Sequence, residues 1–231
     1  MGPIVFVPIF IVAIIALIIF GAYKTAQRRK ELASWAASKG LTYRQQKDRS
    51  FDDRFPKFNV LRQGSGRYAY NIMEGDWLGR RLLAFDYHYE THSTDSKGHR
   101  KTHHHHFSAV ILSSDLLLKP LFIRLEGFFD KITEFIGFDD IDFESAEFSR
   151  KFYVKAEDRR WAYDVIHART MEFLLSMPRF TIQFDGYNVI ASQSSLLKPQ
   201  EFETAIDVIK GILDRMPDYL VKQLEEERGI S

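Results

Sequence analysis

RRLLAFDYHYE, residues 80–90, decides the fold, because large apolar side chains recur at every second position. These side chains are Leu83, Phe85, Tyr87 and Tyr89. Successive side chains of a β-strand point to opposite faces, so the four would lie on one face of a strand. RYAYNIME at 67–74 alternates in the same way upstream, and HHHHFSAVIL at 103–112 follows downstream. The pattern predicts three consecutive strands of an antiparallel sheet.

Turn signals separate these strands and predict another pair. Residues 91–102 are polar and contain glycine, which is typical of an exposed hairpin tip. Further along, Asp185 and Gly186 lie between two apolar runs, residues 180–184 and 188–191. An Asp-Gly pair in that position predicts a second hairpin.

Helical patterns surround the strands. Residues 24–40 are rich in helix formers, and Gly40 can end the helix as its C′ residue. A helical spacing of apolar residues covers 127–136. Asp158 and Pro199 each stand where a helix would begin, the first as an N-cap and the second at the first helical position.

The order of these elements predicts an α+β domain over residues 41–215. Its sheet would be mostly antiparallel, with helices covering one face. Residues 151–215 could form a lobe of their own. Residues 216–231 end in a charged run and are predicted to be a C-terminal tail.

A long apolar stretch precedes the domain: PIVFVPIFIVAIIALIIFGAY, residues 3–23, holds no charged residue. As a helix, residues 4–22 would span about 28 Å, close to the roughly 30 Å hydrocarbon core of a bilayer. We therefore predict a transmembrane anchor over 1–23, followed by a juxtamembrane helix over 24–40. A cleaved signal peptide fits less well, because the apolar run is long and no charged segment precedes it.

Four cations directly follow the apolar stretch: Lys24, Arg28, Arg29 and Lys30. By the positive-inside rule they place the domain in the cytoplasm, which predicts a single-pass protein of the inner (plasma) membrane. The same side chains are candidate ligands for anionic lipid headgroups, so membrane lipid is a predicted partner. Their alternative role is that of a topology signal only.

Composition excludes several classes of function. The formal net charge is +1, without a basic field, so no nucleic-acid partner is predicted. Cysteine is absent, which excludes disulfides, thiolate nucleophiles and cysteine-based metal sites. A glycine-rich phosphate loop, a Gly-x-Ser-x-Gly elbow and a His-Glu-x-x-His helix are also missing from the sequence. No catalytic residue and no organic cofactor are therefore assigned.

Histidines are concentrated on the second and third predicted strands. If Phe85 faces Phe107, acidic and imidazole side chains share one face of the hairpin. The set is Asp86, His88, Glu90, His104 and His106. Imidazoles with a carboxylate can bind zinc, copper or nickel, and Asp86, His88, His104 and His106 are the candidate ligands. A one-residue slip in register would scatter them, and a solvated strand end without metal is the alternative.

Two stretches resemble uncharacterised bacterial proteins. They are GDWLGRRLLAFDYHYETH at 75–92 and FFDKITEFIGFDDIDFESAEFSRKFYVKAEDRRWAYDVIHARTMEFLL at 128–175. Those proteins have one N-terminal transmembrane helix and a cytoplasmic α+β domain, and the similarity covers most of residues 24–215. The resemblance implies a membrane location and no known activity.

Two functions of different class remain open. One is a non-catalytic interaction or accessory module that assembles with other membrane proteins or with itself. It is favoured because no catalytic motif is present and because a tethered domain gains effective concentration toward partners in the same membrane. The other is a metal-dependent hydrolase around His88 and His104, which would need a concave pocket.

Overall fold

The computed structural model describes residues 6–125 and 139–229. The described helices are α1 (Phe6–Ser38), α2 (Phe51–Arg54), α3 (Ala146–Ser149), α4 (Arg159–Val165), α5 (Ala168–Ser176), α6 (Pro199–Leu213) and α7 (Asp218–Gly229). The described strands are β1 (Thr42–Arg44), β2 (Ser65–Trp77), β3 (Arg80–Thr94), β4 (Arg100–Leu125), β5 (Asp139–Asp140), β6 (Phe152–Ala156) and β7 (Thr181–Gln193). A short 3-10 helix covers Asn59–Leu61. The helix predicted over 127–136 lies outside the described residues.

The described strands form one antiparallel sheet around β4. Strands β1, β2, β3 and β4 follow one another, and β6 and β5 continue the sheet beyond β4. Ser108–Leu112 pair with β3 and β7 at once, which makes β4 an interior strand with β7 along its other edge. The fold is therefore α+β with an antiparallel sheet, as the alternating pattern predicts.

The register between β3 and β4 differs from the predicted one by two residues. Phe85 pairs with Ala109 rather than with Phe107, and Tyr87 takes Phe107 as its partner. An even shift leaves every side chain on its own face, because the side-chain period of a strand is two. The predicted set of acidic and imidazole residues consequently still shares one face.

The Asp-Gly pair does not form the predicted hairpin. Residues on both sides of it belong to the single strand β7, which pairs with β4 on either side of an irregular stretch. Gly186 lies in that stretch, opposite Leu118, with a φ of +57°. The positive φ that glycine allows is used here for a bulge in a long strand and not for a chain reversal.

Each face of the sheet is covered by different parts of the chain. Leu82 and Ala84 of β3 belong to the main core, where helices α1, α6 and α7 pack on the sheet. The alternate side chains of β3, including Phe85, pack with Phe51 and Phe58 from the segment between β1 and β2. The sheet thus has helices on one face and, on the other, an irregular segment that contains α2 and the short 3-10 helix.

The predicted transmembrane anchor is wrong. Helix α1 runs from Phe6 to Ser38, and its second half carries Lys24, Arg28, Arg29 and Lys30. In the described part of the chain, no helix is both long and apolar enough to cross a membrane. Residues 1–5 lie outside the described residues.

The predicted localisation depended on that anchor and is corrected with it. The single-pass inner-membrane topology, with the domain on the cytoplasmic side, has no support from a described membrane-spanning helix. The second half of α1 instead packs on the domain. Leu32, Trp35 and Ala36 are buried in the main core, and the Trp35 ring stacks on Phe202 of α6.

The C-terminal half of the chain is continuous with the rest. Strands β6 and β7 both pair with β4, so residues 151–215 share the sheet and the main core with the rest of the chain. Residues 216–231, predicted to be a tail, contain helix α7. Its Leu220 and Leu224 are buried in the main core, because they lie four residues apart on one helix face.

Candidate functional site

The candidate site lies where β3 and β4 leave the helix-covered part of the sheet. Along one face of this pair the side chains change from apolar to polar. The successive cross-strand pairs are Ala84 with Val110, Asp86 with Ser108, His88 with His106, and Glu90 with His104. Asp86 and His88 are buried, whereas the His104 side chain is 60% exposed. The site therefore runs from the core to the solvent.

Asp86 is held by a polar network and not by the histidines. Arg28 of α1 donates from Nε to Oδ2 at 3.0 Å and from Nη2 to Oδ1 at 2.7 Å. Ser108 Oγ donates to Oδ1 at 2.6 Å, and Asn71 Nδ2 donates to Oδ2 at 2.8 Å. Asp86 has no exposed surface, so its charge needs these partners. The structure thus joins a predicted metal ligand, Asp86, to a predicted lipid ligand, Arg28, in one ion pair.

The other predicted headgroup ligands lie along α1 on either side of Arg28. Lys24 and Lys30 are exposed, and Lys24 Nζ lies 4.7 Å from the centre of the Phe20 ring. Arg29 is half-buried. The binding of lipid headgroups by these three side chains stays a prediction.

His88 is oriented by the backbone of β2. Its Nδ1 lies 3.0 Å from the carbonyl oxygen of Gly66, and a carbonyl oxygen can only accept a hydrogen bond. Nδ1 therefore carries the proton, which leaves the lone pair of the neutral ring on Nε2. Tyr68 stacks on the ring with its centroid 4.5 Å away, so the imidazole is fixed on a second side.

His104 and Glu90 complete a compact group with His88. The Nε2 of His88 lies 3.1 Å from Nδ1 of His104. Oε1 of Glu90 lies 3.5 Å from the same His104 nitrogen. One ligand atom from each of the three residues lies within 4.8 Å of the others. The structure thus brings two of the three predicted histidines, His88 and His104, together with Glu90 and not with Asp86.

His106 has a different partner. Its Nδ1 lies 2.9 Å from the hydroxyl of Tyr70, and its ring centre is 4.9 Å from that of His88. Desolvation by the surrounding groups, followed by the charge of His88, lowers the pKa of His106. His106 therefore borders the group of three residues but does not share it.

The remaining histidines of the tract point to the opposite face. His105 stacks on Tyr89 with ring centres 4.6 Å apart, and its Nε2 lies 2.8 Å from the hydroxyl of Thr91. His103 Nε2 lies 2.9 Å from the hydroxyl of Ser93. Alternation along β4 thus divides the tract between the two faces, as expected for a strand.

The chain at the start of β2, residues 64–66, was missed as part of the site. Gly64 and Gly66 have φ values of +57° and +61°, a region that favours glycine. A Cβ added to Gly64 would lie 2.1 Å from the carbonyl oxygen of Glu90, and one on Gly66 would lie 2.9 Å from the Glu90 carboxyl carbon. The Gly-Ser-Gly sequence at 64–66 is the signal that could have revealed this close approach.

A cleft of about 680 Å³ lies beside the histidine tract. Its lining includes Tyr89, Phe107 and Arg179, and also Leu125, where the described part of β4 ends. No aspartate or glutamate is among the described residues that line it. The described lining therefore adds no carboxylate to the three histidines, His104, His105 and His106, and gives the metal-dependent hydrolase no support.

Comparison with known proteins identifies a related fold. No family model and no curated protein matches the chain. A solved structure that matches is the crystal structure of the mycobacterial trehalose monomycolate transport factor A, TtfA, with a TM-score of 0.61. The match covers 82% of this chain and 96% of the TtfA chain at 13% sequence identity. At that identity the comparison shows a shared fold and leaves the function open.

Proposed function

We propose that this protein is a non-catalytic accessory module that joins an assembly with a membrane-associated protein. The observation that carries the proposal is the exposed apolar surface on the N-terminal half of α1. The fold shared with TtfA, a mycobacterial transport factor, agrees with an accessory role. The proposed binding surface is the part of α1 that precedes Arg28 in the chain.

Eight large apolar side chains on this half of α1 are between 41% and 70% exposed. They are Val12, Ile14, Ile15, Leu17, Ile18, Ile19, Phe20 and Tyr23. Their exposed area is on the order of 800 Å², about what one partner contributes to a standard protein interface. Apolar patches larger than a few hundred Å² are uncommon on monomers and mark interaction sites.

The distribution of these side chains specifies the kind of partner. Four consecutive residues, 17–20, are more than half exposed, and together they cover most of the circumference of a helix. A helix that is apolar on all sides is normally surrounded by other apolar groups. A helix with only one apolar stripe packs that stripe against a single surface. The proposed occupant is therefore a set of apolar helices supplied by the partner protein.

Site-specific photo-cross-linking tests the proposal. A photoreactive residue replaces Ile18 in the full chain, and the matched control replaces Leu117, which is 40% exposed on the sheet. We expect Ile18 to give one discrete cross-linked product with a membrane-associated protein, absent from the Leu117 control. Leu17→Asp in the same chain should reduce that product at least tenfold, because a charge in an apolar interface is costly.

Two outcomes would contradict the proposal. Equal patterns from the Ile18 and Leu117 positions would show that the α1 surface has no specific partner. A product at twice the mass of the chain, with no other component, would show self-association and would replace the proposed partner by a second copy.

A further inference from the structure

We propose that His88, Glu90 and His104 form a binding site for a divalent transition metal ion of the zinc type. The site is independent of the proposed interaction through α1. It uses a different carboxylate from the one that the sequence suggests, because Arg28 occupies Asp86. Its three ligand atoms would be Nε2 of His88, a carboxylate oxygen of Glu90 and Nδ1 of His104.

The spacing of the three atoms matches metal coordination. Two nitrogen ligands at about 2.0–2.1 Å from a tetrahedral zinc ion lie about 3.3 Å from each other. The observed separations are 3.1 Å between the two histidine nitrogens and 3.5 Å between His104 and Glu90. The third pair, Nε2 of His88 and a carboxylate oxygen of Glu90, lies within 4.8 Å, so the three ligand atoms are grouped closely enough to surround one ion.

The hydrogen bond from His88 to the Gly66 carbonyl would orient this histidine as a metal ligand. Metal-bound histidines commonly donate their second ring nitrogen to a carbonyl or carboxylate, which fixes the tautomer and the ring orientation. His88 Nδ1 donates to the Gly66 carbonyl in this way at 3.0 Å. The ligating nitrogen is thus already free of its proton in the neutral ring and points toward His104.

The ligand types select the class of metal. Two imidazoles with one carboxylate suit zinc and related transition ions, whereas calcium and magnesium prefer oxygen ligands. Three protein ligands leave one tetrahedral position, which water would fill. A bound ion would link β3 to β4 and, through Gly66, to β2. We therefore expect metal binding to stabilise the projecting end of this hairpin.

The test is a titration of the full chain, purified without an affinity metal and dialysed against a chelator. Zinc binding is measured by competition with a chromogenic chelator, and cobalt is used as a spectroscopic substitute. We expect one equivalent of zinc per chain. We also expect slower hydrogen exchange over residues 88–106 in the presence of zinc, because the ion ties the strands together.

Variants distinguish the site from a generic histidine-rich surface. His104→Ala is the decisive change, because this side chain is 60% exposed and its loss leaves the core intact. It should weaken zinc binding at least about 100-fold, and Glu90→Gln about 10- to 100-fold. His105→Ala is the matched control from the same tract and should change affinity less than about threefold, because its side chain lies on the other face.

Three results would overturn the proposal. The first is an absence of stoichiometric zinc binding by the unmodified chain. The second is an equal loss of affinity in the His104→Ala and His105→Ala variants, which would indicate non-specific binding by the tract. The third is zinc affinity that Glu90→Gln leaves unchanged.

Discussion

Arg28 fixes the place where α1 crosses the sheet. Its guanidinium makes a bidentate pair with Asp86 and also donates to the carbonyl oxygen of Leu197 at 2.8 Å. A buried carboxylate is tolerated only when charge and hydrogen bonds compensate its lost hydration. The pair therefore couples the position of a helix, a strand and the loop before α6.

The first prediction removes one partner of this pair. Arg28→Met should lower the free energy of unfolding by about 3–5 kcal/mol, because Asp86 is left buried without its charge partner and keeps only the neutral donors Ser108 and Asn71. Chemical denaturation followed by circular dichroism measures the change. Lys30→Met is the matched control on the exposed side of the same helix and should change stability by less than about 0.5 kcal/mol.

A double variant tests whether the lost stability comes from the buried charge of Asp86. Adding Asp86→Asn to Arg28→Met should recover part of the lost stability, because the buried group is then neutral. If Arg28→Met and Lys30→Met unfold at the same denaturant concentration, the ion pair does not hold α1 on the sheet.

At the scale of elements, α7 is part of the core. Leu220 and Leu224 are 3% and 1% exposed, and Met216 lies just before the helix in the same cluster. The charged residues that follow Leu224 occupy the exposed side. A run of charge in the sequence thus marks the solvated face of a packed helix and not a free tail.

The second prediction concerns this helix. Leu224→Ala should lower the free energy of unfolding by about 2–5 kcal/mol, because the truncation leaves a cavity in the main core. Leu117→Ala removes the same atoms from a side chain that is 40% exposed, and its effect should be clearly smaller. Denaturant unfolding compares the two variants. Equal stability of both would show that α7 does not pack as described.

At the scale of the whole molecule, β4 connects every part of the sheet. Strands β3, β6 and β7 all pair with it, and the main core includes Leu32 near one end of the described chain and Leu224 near the other. Residues 151–215 therefore cannot lose their structure without exposing the core that they share with α1 and β3.

The third prediction is that these residues unfold together with the rest. The chain contains three tryptophans, of which Trp161 lies in α4 and Trp35 and Trp77 lie outside 151–215. In a variant that keeps only Trp161, fluorescence and far-ultraviolet circular dichroism should report the same denaturant midpoint, as expected for two-state unfolding. A variant that keeps only Trp35 is the control. Separate midpoints for the two tryptophans would show that 151–215 is an independent lobe.

The sequence by itself determined which face each side chain of the central strands occupies. The alternation along residues 80–90 predicts both the strand and the shared face of His88 and His104. That prediction holds although the register is shifted by two, because an even shift preserves the faces. The sequence also predicted the start of a helix at Asp158. This residue is the N-cap of α4, and its side chain accepts a hydrogen bond from the backbone N–H of Trp161 at 3.1 Å.

Only the tertiary structure decided which carboxylate joins the histidines. Asp86 and Glu90 lie on the same face and are equivalent in the alternation, but Arg28, 58 residues away in the chain, reaches one of them. Likewise, the Asp-Gly pair is compatible with a turn or a bulge, and pairing with β4 selects the bulge. The local sequence pattern determines to which face of the sheet a side chain points. The strand register and the partner of each side chain depend on contacts between residues far apart in the chain.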